Sequence, residues 1–188
     1  SVLGGESPYY AFADMDSDGD VDAMEAINSY SDADPSQILY IENLGSGKTP
    51  IFCRRIKAEG GLVHTVTYTT GLVLKDLDLD GDFDMLVATE ASNTPSIEVL
   101  ENTGSRFEPM WTKRSLDWIG FDKTLSYSQA DPDPRSGECS SVFCGYVLLQ
   151  QVIDLDLDGM NDLVYFTHER MKFFRRTRTS GPAHFVMR

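Results

Sequence analysis

Apolar residues in this chain fall into short runs broken by Gly, Asn, Ser and Pro, and helical spacing never persists for three turns. β-Branched and aromatic side chains dominate the runs, which favours strands over helices. A first group comprises YYAFA at 9–13, VDAMEAI at 21–27, QILYIEN at 37–43 and PIFCRRIKA at 50–58. A second comprises HTVTYTTGLVLK at 64–75, FDMLVATE at 83–90, SIEVLEN at 96–102 and FEPMWTKRSL at 107–116. The third is GYVLLQQVI at 145–153, NDLVYFTH at 161–168, MKFFRRT at 171–177 and HFVMR at 184–188. The pattern predicts an all-β chain of three four-stranded antiparallel units. Runs such as MLVA at 85–88 are apolar at successive positions, so those strands are expected to be buried on both faces.

The units share more than strand count. DMDSDGDVD at 14–22, DLDLDGDFD at 76–84 and DLDLDGMND at 154–162 each separate the first run of a group from the second. QILYIENLGSGKTPIF and SIEVLENTGSRFEPMW also correspond nearly position by position, as an alternating strand, Glu-Asn, a glycine turn and an aromatic. The repeat divides the chain into units at 1–62, 63–116 and 146–188. The acidic loops start 62 and then 78 residues apart. The difference locates an insertion at 117–145, rich in Pro, Ser and Gly, expected to be a long surface loop.

Composition sharpens this picture at one point. The formal charge is −14, yet 14 of the 30 acidic residues lie in the three loops, leaving acids and bases balanced elsewhere. Acid gathered at three points implies bound cations and disfavours nucleic acid. With 41% hydrophobic residues over 188 positions the chain can bury a core, and no apolar run reaches the roughly 18 residues of a membrane-spanning helix. The start at Ser1, without methionine, fits either a processed mature chain or a trimmed one. Cys139 and Cys144 are near enough in sequence for a local disulfide, and three reduced thiols including Cys53 are the alternative.

In D-x-D-x-D-G-x-x-D the side chains at positions 1, 3 and 5 converge on one point only if the backbone coils around it, and the glycine at position 6 permits the sharp turn. The position 7 carbonyl and the position 9 carboxylate then complete a cage of hard oxygen donors suited to Ca²⁺. Because position 7 acts through its backbone, Met160 can stand where the other loops have Asp20 and Asp82. Two carboxylates about 4 Å apart repel by roughly 4 kcal/mol at an effective dielectric near 20, so the cluster requires a counter-charge. Magnesium demands a tighter octahedron, and zinc prefers nitrogen and sulfur. Glu25 falls at position 12 of the first loop, as an EF-hand would require, but Val87 and Tyr165 occupy that position in the others.

These loops, set between strands and followed by an apolar strand and a hairpin closing on an aromatic, resemble the FG-GAP or VCBS repeat of integrin-α-type β-propellers. The phenylalanine and glycine motifs that name that repeat are weakly kept. The resemblance implies three four-stranded propeller blades, each with one calcium ion. It implies as ligands Asp14, Asp16, Asp18, the Asp20 carbonyl and Asp22; Asp76, Asp78, Asp80, the Asp82 carbonyl and Asp84; and Asp154, Asp156, Asp158, the Met160 carbonyl and Asp162. Propellers have four to eight blades, so three imply either further blades or a protein partner covering the terminal faces.

The expected function is therefore a non-catalytic, calcium-stabilised scaffold for protein interaction, in an extracellular, cell-surface or lumenal setting rich in calcium. A carbohydrate- or matrix-binding adhesion module is the alternative, as is an accessory subunit of a membrane-bound assembly. A hydrolase or lyase is the third reading. His64, His168 and His184 show no metal-binding spacing, and the paired acids are committed to coordination and unsuited to proton transfer. The basic stretch RMKFFRRTRT is a candidate dock for an acidic partner through Arg170, Lys172, Arg175, Arg176 and Arg178, or else a solvated edge strand.

Overall fold

A computed structural model describes residues 6–28, 36–54, 62–66, 68–91, 94–105, 109–120, 148–166, 171–177 and 185–187. The chain is all-β, as the alternation predicts. Its strands are β1 (Glu6–Ala13), β2 (Asp22–Asn28), β3 (Ser36–Asn43), β4 (Phe52–Arg54), β5 (Leu62–Val66), β6 (Tyr68–Lys75), β7 (Asp84–Ala91), β8 (Thr94–Asn102), β9 (Trp111–Arg114), β10 (Leu148–Ile153), β11 (Asp162–Phe166), β12 (Met171–Arg176) and β13 (Phe185–Met187). They form three antiparallel sheets with strand orders β1-β2-β3-β4, β6-β7-β8-β9 and β10-β11-β12-β13, and β5 adds to the first by pairing with β3. No described helix is long and apolar enough to cross a membrane.

The expected single strand at 64–75 is two strands. β4 covers only Ile41–Asn43 of β3, and β5 covers Ser36–Leu39 on the same strand. A three-residue β4 leaves half of that edge with backbone groups to satisfy, and β5 satisfies them. The second sheet therefore begins at Tyr68. The fourth run of the first group, expected over 50–58, is a strand only over Phe52–Arg54; residues 55–61 lie outside the described residues.

The middle sheet is covered on both faces, which explains its successive apolar positions. Met85 and Val87 pack with Met24, Ala26 and Ile38 of the first sheet. Their neighbours Leu86 and Ala88 point the other way, toward Leu163, Phe174 and Phe185 of the third. Each fully buried side chain of this size contributes about 1.5–3 kcal/mol. The first strands lie side by side, β1 against β6 and β6 against β10. A buried pair of hydrogen bonds joins the first two sheets: Asn28 Nδ2 donates to the Thr69 carbonyl at 2.7 Å, and Thr69 N–H donates to Asn28 Oδ1 at 2.7 Å.

The insertion does not begin as a surface loop. Leu116–Ile119 form a short 3-10 helix closed by Gly120, whose φ of 66° is left-handed. Ile119 is fully buried between the second and third sheets, with Leu116 and Trp118 packed beside it. Apolar side chains override the polar composition here because the gap between two sheets needs filling. Residues 121–147, with Cys139 and Cys144, lie outside the described residues; Cys53 is an exposed thiol.

Candidate metal centre

Each acidic loop joins the first strand of a sheet to the second: β1 to β2, β6 to β7, β10 to β11. The backbone takes the same path three times. Gly19, Gly81 and Gly159 have φ of 95°, 100° and 88°, the left-handed region expected at position 6. Position 4 is left-handed too, at Ser17, Leu79 and Leu157, which nothing in the residue types foretells. The coil folds amides onto carboxylates in a shared pattern. Position 1 accepts the N–H of position 6, at 3.2 Å for Asp14 and Gly19, 3.2 Å for Asp76 and Gly81, and 2.9 Å for Asp154 and Gly159. Position 3 accepts the N–H of position 5, and position 5 that of position 7.

Each loop gathers three carboxylates whose oxygens lie within 4.8 Å of one another: Asp14, Asp16 and Asp18; Asp76, Asp78 and Asp84; Asp154, Asp156 and Asp162. Asp22, Asp80 and Asp158 stand beside these triplets without belonging to them. Asp20, Asp82 and Met160 occupy position 7, where the backbone carbonyl is the expected donor.

The position 9 aspartates are buried clamps. Asp84 accepts Leu77 N–H at 2.8 Å and Asn102 N–H at 3.0 Å; Asp22 does the same with Met15 and Asn43, and Asp162 with Leu155 and Arg176. Each clamp ties the loop to the end of the third strand, where Asn43 and Asn102 organise the following turn. Asn102 Oδ1 accepts Gly104 N–H at 3.0 Å and Met110 N–H at 2.9 Å, and Asn43 repeats this with Gly45 and Ile51. The correspondence of the two Glu-Asn hairpins is thus realised in matching bonds.

The electrostatics are those of crowded acid. Burial, then the neighbouring Asp78 and Asp82, hold the Asp84 carboxyl up at about 7, against the bonds donated by Asn102 and Leu77. Burial and then Asp80, Asp78 and Asp76 hold Asp82 at about 7. Burial also raises Asp22 and, with Asp80, Asp78. Among the described carboxylate oxygens of the loops, two are buried without a hydrogen-bond partner, Asp14 Oδ1 in the first loop and Asp82 Oδ1 in the second. Carboxylate oxygen without sulfur or imidazole is a donor set for a hard cation, and the orphaned oxygen of Asp14, a position 1 acid, fits such an ion.

Residues outside the motif flank each site, and one of them, Glu101, is paired with Arg114. One position beyond the Ala23–Ile41, Met85–Leu100 and Leu163–Phe174 pairs, the third strands carry Glu42, Glu101 and Arg175 opposite the position 9 aspartates. Arg175 binds Asp156 at 2.8 Å and Asp158 at 2.6 Å. Arg176 is buried, and its Nη2 donates to the Leu77 carbonyl of the second loop at 3.1 Å. Burial removes Arg176 from the expected basic dock, and Arg175 is bonded to acids of the third loop. Arg170 and Arg178 lie outside the described residues, as do His168 and His184. Glu25 is buried on β2, paired with Arg54 and with the Tyr10 hydroxyl, and is not part of the first loop. Comparison with family models, curated proteins and solved structures gives no match.

Proposed function

We propose that the three loops are calcium sites and that the chain is a non-catalytic β-scaffold of propeller-blade type, akin to FG-GAP or VCBS repeats. The observation that carries this is the threefold recurrence of one coiled backbone bringing three carboxylates within 4.8 Å. Calcium would be held by Asp14, Asp16 and Asp18, by Asp76, Asp78 and Asp84, and by Asp154, Asp156 and Asp162, with the adjoining Asp22, Asp80 and Asp158 and the position 7 carbonyls closing the cages. Its role is to neutralise charge that folding concentrates, so it acts on stability and shape.

The scaffold presents its two outer faces to a protein partner or to further blades. Phe12, 57% exposed, lies on the face of the first sheet turned from the middle one, and Ile153, 43% exposed, lies on the corresponding face of the third. Weak calcium affinity of the extracellular kind would place the chain outside the cell, at its surface or in a lumen. Equilibrium dialysis of chelator-treated protein against millimolar calcium, with metal counted by mass spectrometry, tests the reading. Two to three ions per chain are expected, falling by one in Asp78→Asn; no bound calcium would remove the proposal.

A further inference from the structure

The three loops repeat one backbone but not one charge pattern. Opposite the position 9 acid, the first and second sites have Glu42 and Glu101, so six acidic residues lie in and beside each loop, although Glu101 is itself paired with Arg114 of β9. The third has Arg175 at that place and only four aspartates, because Met160 replaces the position 7 acid. Arg175 Nε lies 2.8 Å from Asp156, and its Nε and Nη2 reach Asp158 Oδ2 at 3.1 and 2.6 Å. Asp156 and Asp158 are the position 3 and position 5 acids, which would otherwise face a metal ion.

A second difference points the same way. Asp82 is 7% exposed, and its Oδ1 has no hydrogen-bond partner while its carboxylate sits among Asp76, Asp78 and Asp80. Asp14 Oδ1 in the first loop is likewise buried and without a partner. In the third loop Asp156 and Asp158 are exposed to water, and among the described residues no carboxylate oxygen there is both buried and unpartnered. The first two loops thus retain buried acceptors with nothing to bind, and the third carries a guanidinium on its acids. A guanidinium is permanently charged and forks across two carboxylates, so it neutralises part of the cluster without metal.

We infer that Arg175 is a built-in counter-cation that makes the third loop the weak calcium site, leaving the first two as the tight ones. The inference rests on the calcium reading of the loops and adds their ranking. An entering dication meets a fixed positive charge and must displace it from two of its own ligands. Together these should weaken the third site by about tenfold or more relative to the others.

Calorimetric titration of the chelator-treated full chain with Ca²⁺ distinguishes the cases. Wild type should take up two ions tightly and a third about tenfold more weakly. Asp156→Asn should abolish the weak phase alone. Arg175→Gln should tighten that phase, and Arg175→Glu, which restores the residue type found at 42 and 101, should bring it close to the other two. Far-UV circular dichroism verifies that each variant is folded. Three equivalent ions in wild type, or a weak phase unmoved in both Arg175 variants, would overturn the ranking while leaving the calcium sites standing. Failure of the wild type to bind any ion would instead overturn the calcium reading and the ranking with it.

Discussion

The position 9 aspartates do two kinds of work, and substitution separates them. Asp84 is fully buried and accepts two backbone N–H groups, so Asp84→Ala leaves two buried donors unsatisfied. It should cost about 2–4 kcal/mol by urea unfolding even in chelator. Asp80 is exposed, and Asp80→Asn should cost less than about 0.5 kcal/mol in chelator and lose only the calcium-dependent gain. The same residues set a pH dependence with a definite sign. Asp82 and Asp84 are both held at about 7, above their ordinary value of 3.8, so between those limits the native state binds more protons than the unfolded chain. In chelator, stability should therefore fall as pH rises from 4 and level off above 7. Calcium should flatten or reverse that slope, because it favours the ionised carboxylates. Thermal melts across this range with and without calcium provide the check.

At the scale of elements, the sheets are joined by polar contacts as well as by their apolar faces. Asn28 closes β2 onto Thr69 of β6 through two bonds of 2.7 Å, standing in for a backbone pair between sheets. Asn28→Ala should destabilise by about 2–4 kcal/mol in urea titration, since the buried N–H and C=O of Thr69 lose these partners. Such contacts were not legible in the sequence, because residues 41 apart meet only after the sheets have packed. What was legible follows local rules. Alternation marked the strands flanking the loops, position 6 glycines marked the left-handed turns, and Glu-Asn followed by Gly marked two matching hairpins. β5 is not separable from β6 in the sequence, because its partner depends on how little of β3 the short β4 covers. The burial of Ile119 leaves no mark in the sequence, because four residues of 3-10 helix carry no period. In the sequence Arg176 belongs to a basic stretch that fits a dock or a solvated edge strand, and only the assembled sheets show its guanidinium bonded to the Leu77 carbonyl.

For the whole molecule, the three sheets supply a core on both faces of the middle one, and the loops concentrate acid along the connections from first to second strand. Folding brings these charges together, so a cation that binds only the folded chain should decide how much stability remains. At calcium about tenfold above its own dissociation constant each site adds roughly 1.4 kcal/mol, so the three together add at least about 4 kcal/mol once the weakest is that far saturated. For a chain of 188 residues this corresponds to about 10 °C in Tm. The direct measurement is a thermal melt at neutral pH in excess calcium, then in excess chelator, then with calcium restored. A Tm about 10 °C lower in chelator and recovered by calcium is the predicted result. An identical Tm in all three conditions would contradict the account.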